Sequence, residues 1–248
     1  MKQPAPQRFK NKICLVTGGS SGIGKATSLQ LAAEGGKVVI LSRTAAEGDA
    51  VAATITKAGG TAIFLQTDVG DPEQVQAAVS AVLKKWKRVD VLVNAAAMMT
   101  YKPITELTLV EWDQLMAVNL RAVFLLSKLC IPHMKAGAIV NVSSVHAHET
   151  SANVIPYASS KGAMEAFTRG VSREYDISHV RVNTVAPGAV DTPMLWENPN
   201  VKNGQEKIQG AIGRPEDIAE VICFLASAQA AFVNGTTVVA DGGRLNIL

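Results

Sequence analysis

Short apolar runs alternate with segments of helical periodicity along the whole 248-residue chain. The runs predict seven strands, at 13–17, 37–42, 61–67, 89–93, 138–143, 179–185 and 237–240. Apolar residues at three- and four-residue spacing predict helices at 25–34, 45–57, 71–83, 108–134, 157–176 and 215–227. Repeated strand–helix units with short connections favour one doubly wound parallel sheet with helices on both faces. We therefore expect an α/β fold in one domain over 1–248, with a short polar tail at 1–10.

Two of the predicted helices begin with capping residues. Asp71 precedes Pro72 and Glu73, an order in which the aspartate caps, the proline fits the first turn and the glutamate complements the helix dipole. Thr108 and Glu111 have the spacing of a capping box at the start of the long helix. These signals support the helix assignments.

The composition is that of a globular protein, with 48% hydrophobic and 18% charged residues. The net charge of +3 is small and its basic residues are scattered, so we expect neither nucleic acid nor membrane as a partner. Residues 1–12 are polar and include two prolines, which predicts no signal peptide, and no run approaches the length of a membrane span. Cys14, Cys130 and Cys223 are far apart in apolar segments. They are expected to be buried thiols of a cytoplasmic protein, and no residue cluster predicts a metal site.

A glycine-rich turn follows the first strand directly. Gly18, Gly22 and Gly24 separate the strand at 13–17 from a helix. Strand, glycine turn and helix in that order present bare backbone N–H groups at a helix N-terminus, where a diphosphate can bind. The alternative is a glycine-rich turn that binds no ligand.

A tyrosine and a lysine four residues apart, Tyr157 and Lys161, suggest acid/base chemistry. At this spacing both side chains project from one face of a helix. A phenol with a pKa of about 10 is a poor acid at neutral pH, and a nearby ammonium favours its ionised form. By itself the pair is weak evidence, because such pairs occur on many solvated helices.

Taken together, the motifs resemble the short-chain dehydrogenase/reductase family, in order and spacing, from residue 12 to 243. The matching positions are the glycine turn at 17–24, Asp68, Val69, 94–97, Asn119, Ser144, Tyr157, Lys161, Pro187, Gly188, 213–219 and 241–243. The resemblance implies a Rossmann-like fold and NAD(P)-dependent interconversion of a carbonyl and a secondary alcohol. It also implies a homotetramer, built from the helices at 105–134 and 157–176 and the carboxy-terminal strand.

The resemblance implies four catalytic residues. Tyr157 is the general acid or base, and Lys161 lowers its pKa and holds the nicotinamide ribose. Ser144 donates a hydrogen bond to the substrate oxygen, with Ser143 as a close competitor for that role. Asn119 links Lys161 to solvent through a water, or else its side chain bonds a neighbouring strand's backbone.

The cofactor would lie along the carboxyl ends of the strands. The expected cofactor residues are Gly18, Ser20, Ser21, Gly22, Ile23, Gly24, Ser42, Arg43, Thr44, Asp68, Val69, Asn94, Ala95, Ala96, Tyr157, Lys161, Pro187, Gly188, Val190 and Thr192. Asp68 would meet the adenine amino group, or instead cap the following helix. Asn94 would steady the sheet beside the cofactor.

The end of the second strand predicts the choice of cofactor. That strand ends in Ser42, Arg43 and Thr44 without an acid, where an acidic side chain would select NAD(H). A guanidinium can instead grip a 2′-phosphate through two charge-assisted hydrogen bonds. We therefore expect NADP(H), with NAD(H) possible and with reduction as the main direction. The alternative is an exposed Arg43 paired with Glu47.

Two segments depart from the family pattern. Residues 94–97 read Asn-Ala-Ala-Ala where the family commonly has Asn-Asn-Ala-Gly, so that Ala97 adds a methyl beside the cofactor. The substrate-covering segment, 190–213, is short. The expected pocket rim is mostly apolar and comprises Met98, Met99, Thr100, His146, His148, Val154, Met194, Leu195 and Trp196.

The substrate stays open, as a ketone, a sugar, a steroid or a 3-oxoacyl thioester. Two other function classes remain as alternatives. One is a non-catalytic NADP-binding regulator on the same fold. The other is a different reaction, enoyl reduction or epimerisation, on the same scaffold.

Overall fold

The computed structural model of the protein describes residues 7–204, 207–208 and 210–246. The strands in this part of the chain are β1 Ile13–Thr17, β2 Lys37–Ser42, β3 Thr61–Gln66, β4 Val91–Asn94, β5 Gly137–Val142, β6 Val180–Pro187 and β7 Thr237–Ala240. All pairings between them are parallel, in the order β3-β2-β1-β4-β5-β6-β7. The predicted seven-stranded, doubly wound sheet is confirmed, with strand ends moved by one or two residues.

The helices cover both faces of the sheet. They are α1 Gly22–Ala33, α2 Ala45–Lys57, α3 Pro72–Trp86, α4 Leu109–Met116, α5 Ala122–Cys130, α6 Ile155–Glu174, α7 Pro193–Trp196, α8 Pro199–Lys202 and α9 Pro215–Ala226. Apolar residues of α1, α2 and α9 form one buried cluster with the sheet, and residues of α3, α5 and α6 form another on its opposite face. Two covered faces explain why the strands are almost continuously apolar.

The long helix predicted at 108–134 is interrupted. A π-helical turn, Ala117–Arg121, separates α4 from α5, and a 3₁₀ turn, Ile131–His133, ends the run. Such turns often occur at functional sites. Asn119 lies inside the π-helical turn, where its side chain bonds groups outside the helix. Helical periodicity carries no signal for this interruption.

This helical run also corrects the expectation about membrane spans. Leu109–His133 has 25 residues and a most apolar window of mean hydropathy 1.6, long and apolar enough to cross a membrane. Half of that window is buried inside the protein, where Leu126 and Cys130 pack against the sheet. Core helices have the same length and composition, so we infer no membrane-crossing role.

The predicted caps form as expected. Asp71 Oδ1 accepts hydrogen bonds from Glu73 N at 2.9 Å and Gln74 N at 3.4 Å. Thr108 Oγ1 accepts from Glu111 N at 3.2 Å, and Thr108 N donates to Glu111 Oε2 at 3.0 Å. Both helix starts thus satisfy backbone donors that a helix leaves unpaired.

The start of the chain differs from the predicted polar tail. Phe9 is 1% exposed and belongs to the cluster under α1, and the Arg8 guanidinium bonds the buried Glu34 carboxylate. Residues 7–10 are therefore part of the packed domain, and residues 1–6 of the predicted tail lie outside the described chain.

The cysteines are buried and unpaired with one another, as predicted. Burial raises the pKa of Cys130 to about 12 and raises the pKa of Cys14 and Cys223 as well. A thiol reacts as its thiolate. All three cysteines are therefore inert apolar side chains at neutral pH.

Candidate active site

A cleft of about 340 Å³ opens beyond the carboxyl ends of the paired strands β1 and β4, the topological switch point of a doubly wound sheet. Nearly all predicted site residues line it. They are Gly18, Ser20, Ser21, Gly22, Ile23, Gly24, Ser42, Arg43, Thr44, Asp68, Val69, Ala95, Ala96, Ser144, Tyr157, Lys161, Pro187, Gly188, Val190 and Thr192. The sheet topology thus gathers residues from seven segments of the chain into one site.

The glycine turn and the start of α1 form what we call the phosphate end of the cleft. A Cβ on Gly24 would lie 2.2 Å from the carbonyl oxygen of Gly18, so no other residue fits there. Gly22 has a φ of +48°, and a Cβ on it would lie 3.0 Å from Thr192 Cγ2. The helix begins after Ser21 without a side-chain cap. Its first N–H groups and the dipole therefore favour an anion at this point.

The carboxyl end of β2 forms the ribose end. Ser42 Oγ is buried and has no hydrogen-bond partner, while Arg43 and Thr44 are exposed beside it. The Arg43–Glu47 ion pair considered above does not form, because Glu47 Oε2 instead accepts from Ser20 Oγ at 3.3 Å. An orphaned buried hydroxyl next to an unpaired guanidinium suits a polar, anionic ligand group.

The segment after β4 is held by side chains of the sheet. Thr17 Oγ1 accepts from the backbone N–H groups of Ala95 and Ala96, both at 3.0 Å. Asn94 does not line the cleft, so its place among the cofactor residues needs correction. It is fully inside the sheet, where its Nδ2 donates to Asn141 Oδ1 at 2.8 Å. Ala97 lines the cleft with a backbone φ that any residue adopts, so its methyl causes no strain.

Asp68 and Val69, the two residues expected beside the adenine, both line the cleft. Val69 is 7% exposed. Asp68 Oδ1 accepts from Gly70 N at 2.8 Å, whereas the cap of α3 is Asp71. Asp68 therefore does not act as the helix cap that its position also allowed.

Ser144, Tyr157 and Lys161 form what we call the reaction centre. Tyr157 and Lys161 are buried on one face of α6, with Lys161 Nζ 5.4 Å from the centre of the Tyr157 ring. Lys161 Nζ also donates to the Val142 carbonyl at 2.6 Å. The Ser144 side chain is hydrogen-bonded to Tyr157. Two hydroxyls and one ammonium thus converge on the same point of the cleft.

Burial controls the ionisation of this pair. It raises the pKa of Tyr157 to about 12, an effect that the hydrogen bond to Ser144 partly opposes. Burial also lowers the pKa of Lys161 to about 7. The expected lowering of the phenol pKa by Lys161 is therefore wrong for this structure, because desolvation disfavours the charged form of both groups.

Ser143 and Ser144 have different surroundings. Ser143 also lines the cleft, but its Oγ donates to Glu165 Oε1 at 2.9 Å and lies 3.3 Å from the Lys161 carbonyl oxygen. Ser144, beside Tyr157, is therefore the serine in the reaction centre.

Asn119 does not line the cleft. Its Oδ1 accepts from Met98 N at 2.9 Å, and its Nδ2 donates to Met98 O at 3.0 Å and to Ser160 Oγ at 3.1 Å. The structure thus favours the backbone-bonding alternative for this side chain. A water link to Lys161 stays a prediction.

The substrate rim is only partly as predicted. Met98, Met99, His146, Met194 and Leu195 line the cleft, and Thr100, His148, Val154 and Trp196 do not. Sequence reasoning missed Leu41, Glu47, Tyr101, Asn198, Ile208 and Arg244, which also line it. Leu41 and Glu47 flank the predicted residues 42–44, whereas the other four come from separate segments and share no motif, so no signal in the sequence could have found those four.

The segment 190–213 contributes described residues, among them Met194 and Leu195, to this rim. Its ends are joined by a parallel bridge between Val190 and Gly213, and it contains α7 and α8. Trp196 is half exposed and its Nε1 donates to Asp191 Oδ1 at 2.6 Å. Three residues of the segment, 205, 206 and 209, lie outside the described chain.

Within the described ranges, no group of three or more His, Cys, Asp or Glu side chains could hold a metal ion.

Comparisons with known proteins agree with this geometry. A family model described as short chain dehydrogenase matches residues 12–203. A cis-4-hydroxycyclohexanecarboxylate dehydrogenase of Sinomonas cyclohexanicum is 38% identical over 96% of this chain and 98% of that protein. A cyclopentanol dehydrogenase of a Comamonas species is 34% identical over 95% and 98%. A short chain dehydrogenase from Burkholderia cenocepacia, solved in complex with NADP, superposes with a TM-score of 0.88 at 34% identity, covering 95% and 98%.

Proposed function

The chain belongs to the short-chain dehydrogenase family, whose members here are oxidoreductases of alcohols and ketones, and we propose that it uses NADP(H). We propose further that Tyr157 is its acid/base. The observation that carries the proposal is the convergence of Ser144, Tyr157 and Lys161 in a cleft whose other end is a glycine cradle. A non-catalytic nucleotide-binding regulator would have no use for a buried phenol and ammonium next to a bonded serine.

The residues present fit a nicotinamide dinucleotide. The uncapped start of α1 and the glycines against which a Cβ would collide suit the diphosphate. The orphaned Ser42 hydroxyl and the Arg43 guanidinium suit a 2′-phosphate on the adenosine ribose. Asp68 and Val69 would hold the adenine, and Pro187, Gly188, Val190 and Thr192 the nicotinamide. Bound there, the cofactor supplies or accepts a hydride.

Tyr157 is suited to donating a proton. With a pKa of about 12, its phenol is protonated at neutral pH and can give its proton to a carbonyl oxygen that is being reduced. Ser144 donates a second hydrogen bond to the same oxygen and orients it, and Lys161 returns the tyrosine to its protonated form. Oxidation would need an ionised phenol, which burial disfavours. Reduction as the main direction rests on the choice of NADP(H), since the same phenol serves both directions of the reaction.

Cofactor choice rests on the ribose end. Arg43 forms no ion pair within the described chain, and no acidic side chain stands at the end of β2. Glu47 lines the cleft as well, and its carboxylate accepts from Ser20 Oγ. These observations support NADP(H) over NAD(H).

The substrate class that the comparisons support is a small cyclic secondary alcohol or its ketone. The names of two relatives specify a hydroxycyclohexanecarboxylate and cyclopentanol. The rim of Met98, Met99, Met194 and Leu195 is apolar, as a carbocyclic ring requires. A 3-oxoacyl thioester is the competing substrate.

The test is a matched assay on the purified protein. Absorbance of the reduced nicotinamide is followed with NADPH and with NADH, using cyclohexanone, 4-oxocyclohexanecarboxylate, cyclopentanone and an acetoacetyl thioester. We expect the highest kcat/KM with NADPH and a cyclic ketone. A higher kcat/KM with NADH would contradict the cofactor choice, and a preference for the thioester would contradict the substrate class.

We also propose that the chain forms a homotetramer. Leu109, Val110 and Phe124 expose large apolar surface on α4 and α5, and Phe232 is 97% exposed before β7. Large exposed apolar side chains on separate elements are what subunit contacts would cover, and a tetramer with two kinds of interface would cover both regions. Light scattering at micromolar concentration should give four times the chain mass, and a monomeric mass would contradict the proposal. A cytoplasmic location stays a prediction.

A further inference from the structure

One nearly buried carboxylate has no part in the chemistry described so far. Glu165 is 5% exposed and lies in α6, on the helix that carries Tyr157 and Lys161. Because it follows those residues at four-residue spacing, it projects from the same face of the helix. Acidic side chains are almost never fully buried unless they are paired, so its partners indicate what it does.

Both polar partners of Glu165 belong to the turn that carries Ser144. Ser143 Oγ donates to Glu165 Oε1 at 2.9 Å. His148 Nε2 lies 3.3 Å from the same oxygen. One carboxylate oxygen therefore joins both ends of the turn 143–148 to α6, with Ser144 between the two attachment points.

The turn between these attachments is internally bonded. Ser144 Oγ accepts from His146 N at 3.2 Å, Ala147 N donates to Ser144 O at 3.0 Å, and His148 N donates to Val145 O at 2.9 Å. Because the turn is stiff, a displacement at either end moves Ser144 with it. The position of Ser144 relative to Tyr157 therefore depends on how the turn is held against α6.

We propose that Glu165 is a positioning residue, which fixes Ser144 at hydrogen-bonding distance from Tyr157 by holding Ser143 and His148 with one oxygen. The inference rests on the proposed function. It requires a proton on His148 Nε2, so that both partners donate to the carboxylate. Substitution of Glu165 should therefore act on catalysis through Ser144, with little effect on cofactor affinity.

A double-mutant cycle tests this dependence. Glu165→Ala should lower kcat by about 10- to 100-fold, because a misplacement of about 1 Å costs up to roughly 10²-fold. In a Ser144→Ala background the same substitution should lower kcat by less than about twofold, since the side chain that Glu165 positions is already absent. Glu165→Gln keeps an acceptor oxygen and should restore most of the activity. Glu174→Ala, an exposed acid at the end of the same helix, is the matched control.

Equal losses in both backgrounds, or no loss in the wild-type background, would overturn the proposal. If Glu165→Ala does not fold, His148→Ala replaces it, with exposed His133→Ala as control. His148→Ala should lower the activity of the wild-type protein but should not lower the activity of the Ser144→Ala variant any further. Any other pattern overturns the proposal. NADPH affinity, measured by fluorescence titration, should stay within about twofold in every variant.

Failure of the proposed function has a different signature. If the wild-type protein reduces no carbonyl compound, the oxidoreductase assignment fails and the positioning role is decided by crystallography. A crystal structure of Glu165→Gln and one of Glu165→Ala then show whether Ser144 stays bonded to Tyr157. Loss of that bond in the alanine variant alone supports the inference, and its retention in both overturns it.

Discussion

The phosphate end and the substrate rim of the same cleft are built in different ways. The phosphate end consists of backbone, where Gly24 stands against the Gly18 carbonyl and α1 begins without a side-chain cap. The substrate rim consists of side chains such as Met98 and Met194, carried by a loop and by a four-residue helix. Backbone geometry fits one ligand shape, whereas side chains on short elements can be substituted to fit a different substrate.

This difference separates the two halves of the function. A close-packed glycine turn ties cofactor binding to the fold, because any added atom collides with backbone that cannot move away. The rim can change without disturbing the sheet, since segment 190–213 is closed on itself by the bridge between Val190 and Gly213 and by the Trp196–Asp191 hydrogen bond. Changes at the phosphate end should therefore abolish cofactor binding, and changes at the rim should only alter substrate preference.

The largest effect is expected at the phosphate end. Gly24→Ala places a methyl 2.2 Å from the Gly18 carbonyl oxygen, which forces the turn open. NADPH affinity should fall by at least about 100-fold, because the backbone N–H groups no longer converge on the diphosphate. Gly170→Ala in α6, where a Cβ meets nothing within 4 Å, is the control and should bind normally. Fluorescence titration of NADPH measures the affinity of both variants. An unchanged affinity in Gly24→Ala would contradict the distinction between the phosphate end and the substrate rim.

A smaller effect is expected at the ribose end, where a side chain supplies the selectivity. Arg43→Ala should weaken NADPH binding by about 10- to 100-fold and NADH binding hardly at all, because only the 2′-phosphate loses its charged partner. The difference should shrink as salt is added, since Arg43 is exposed. Exposed Arg173→Ala is the control. Equal weakening of both cofactors would mean that Arg43 does not read the phosphate.

The substrate rim should respond more weakly still. Trp196→Phe removes the hydrogen bond from Nε1 to Asp191 and keeps the aromatic ring. Such a bond contributes about 1.5–3 kcal/mol when one partner is charged, before solvent exposure of the indole reduces it. We expect KM for the ketone to rise a few-fold while NADPH affinity is unchanged. A loss of NADPH affinity equal to that of Gly24→Ala would show that the substrate rim and the phosphate end do not act independently.

The smallest effect concerns stability at the reaction centre. Burial lowers the pKa of Lys161 from 10.5 to about 7, so between these values the unfolded chain binds more protons than the folded one. Stability from this group therefore rises with pH across that window. Lys161→Met has no group to deprotonate on folding, so we expect it to have a higher Tm than wild type at pH 7. That difference in Tm should shrink by a few degrees between pH 7 and 9.5. The range stops there because the raised pKa of Tyr157 acts in the opposite sense above pH 10. A constant difference would contradict the lowered lysine pKa.

The same contrast explains what the sequence could predict. Apolar runs, helix caps and glycine spacing are local signals, so the sheet, the Asp71 cap and the phosphate end follow from them. The motif order added Ser144, Tyr157 and Lys161, which lie together as expected.

What the sequence could not predict depends on contacts between distant segments. The π-helical turn around Asn119 and the attachment of Ser143 to Glu165 leave no periodic pattern in the sequence. Nor could spacing show that burial would outweigh the lysine in setting the Tyr157 pKa. Arg244 reaches the cleft only because the turn after β7 lies beside the end of β6.

The most direct test of the central claim separates chemistry from cofactor binding at one atom. Tyr157→Phe removes only the phenolic oxygen, and Tyr175→Phe, on an exposed tyrosine just after α6, is its control. Steady-state reduction of a cyclic ketone should fall by about 10²- to 10⁴-fold in Tyr157→Phe, because the general acid is lost. The affinity for NADPH, titrated on the same sample, should remain within about twofold of wild type, because the phosphate end of the cleft is unchanged. Near-normal turnover in Tyr157→Phe would contradict the account.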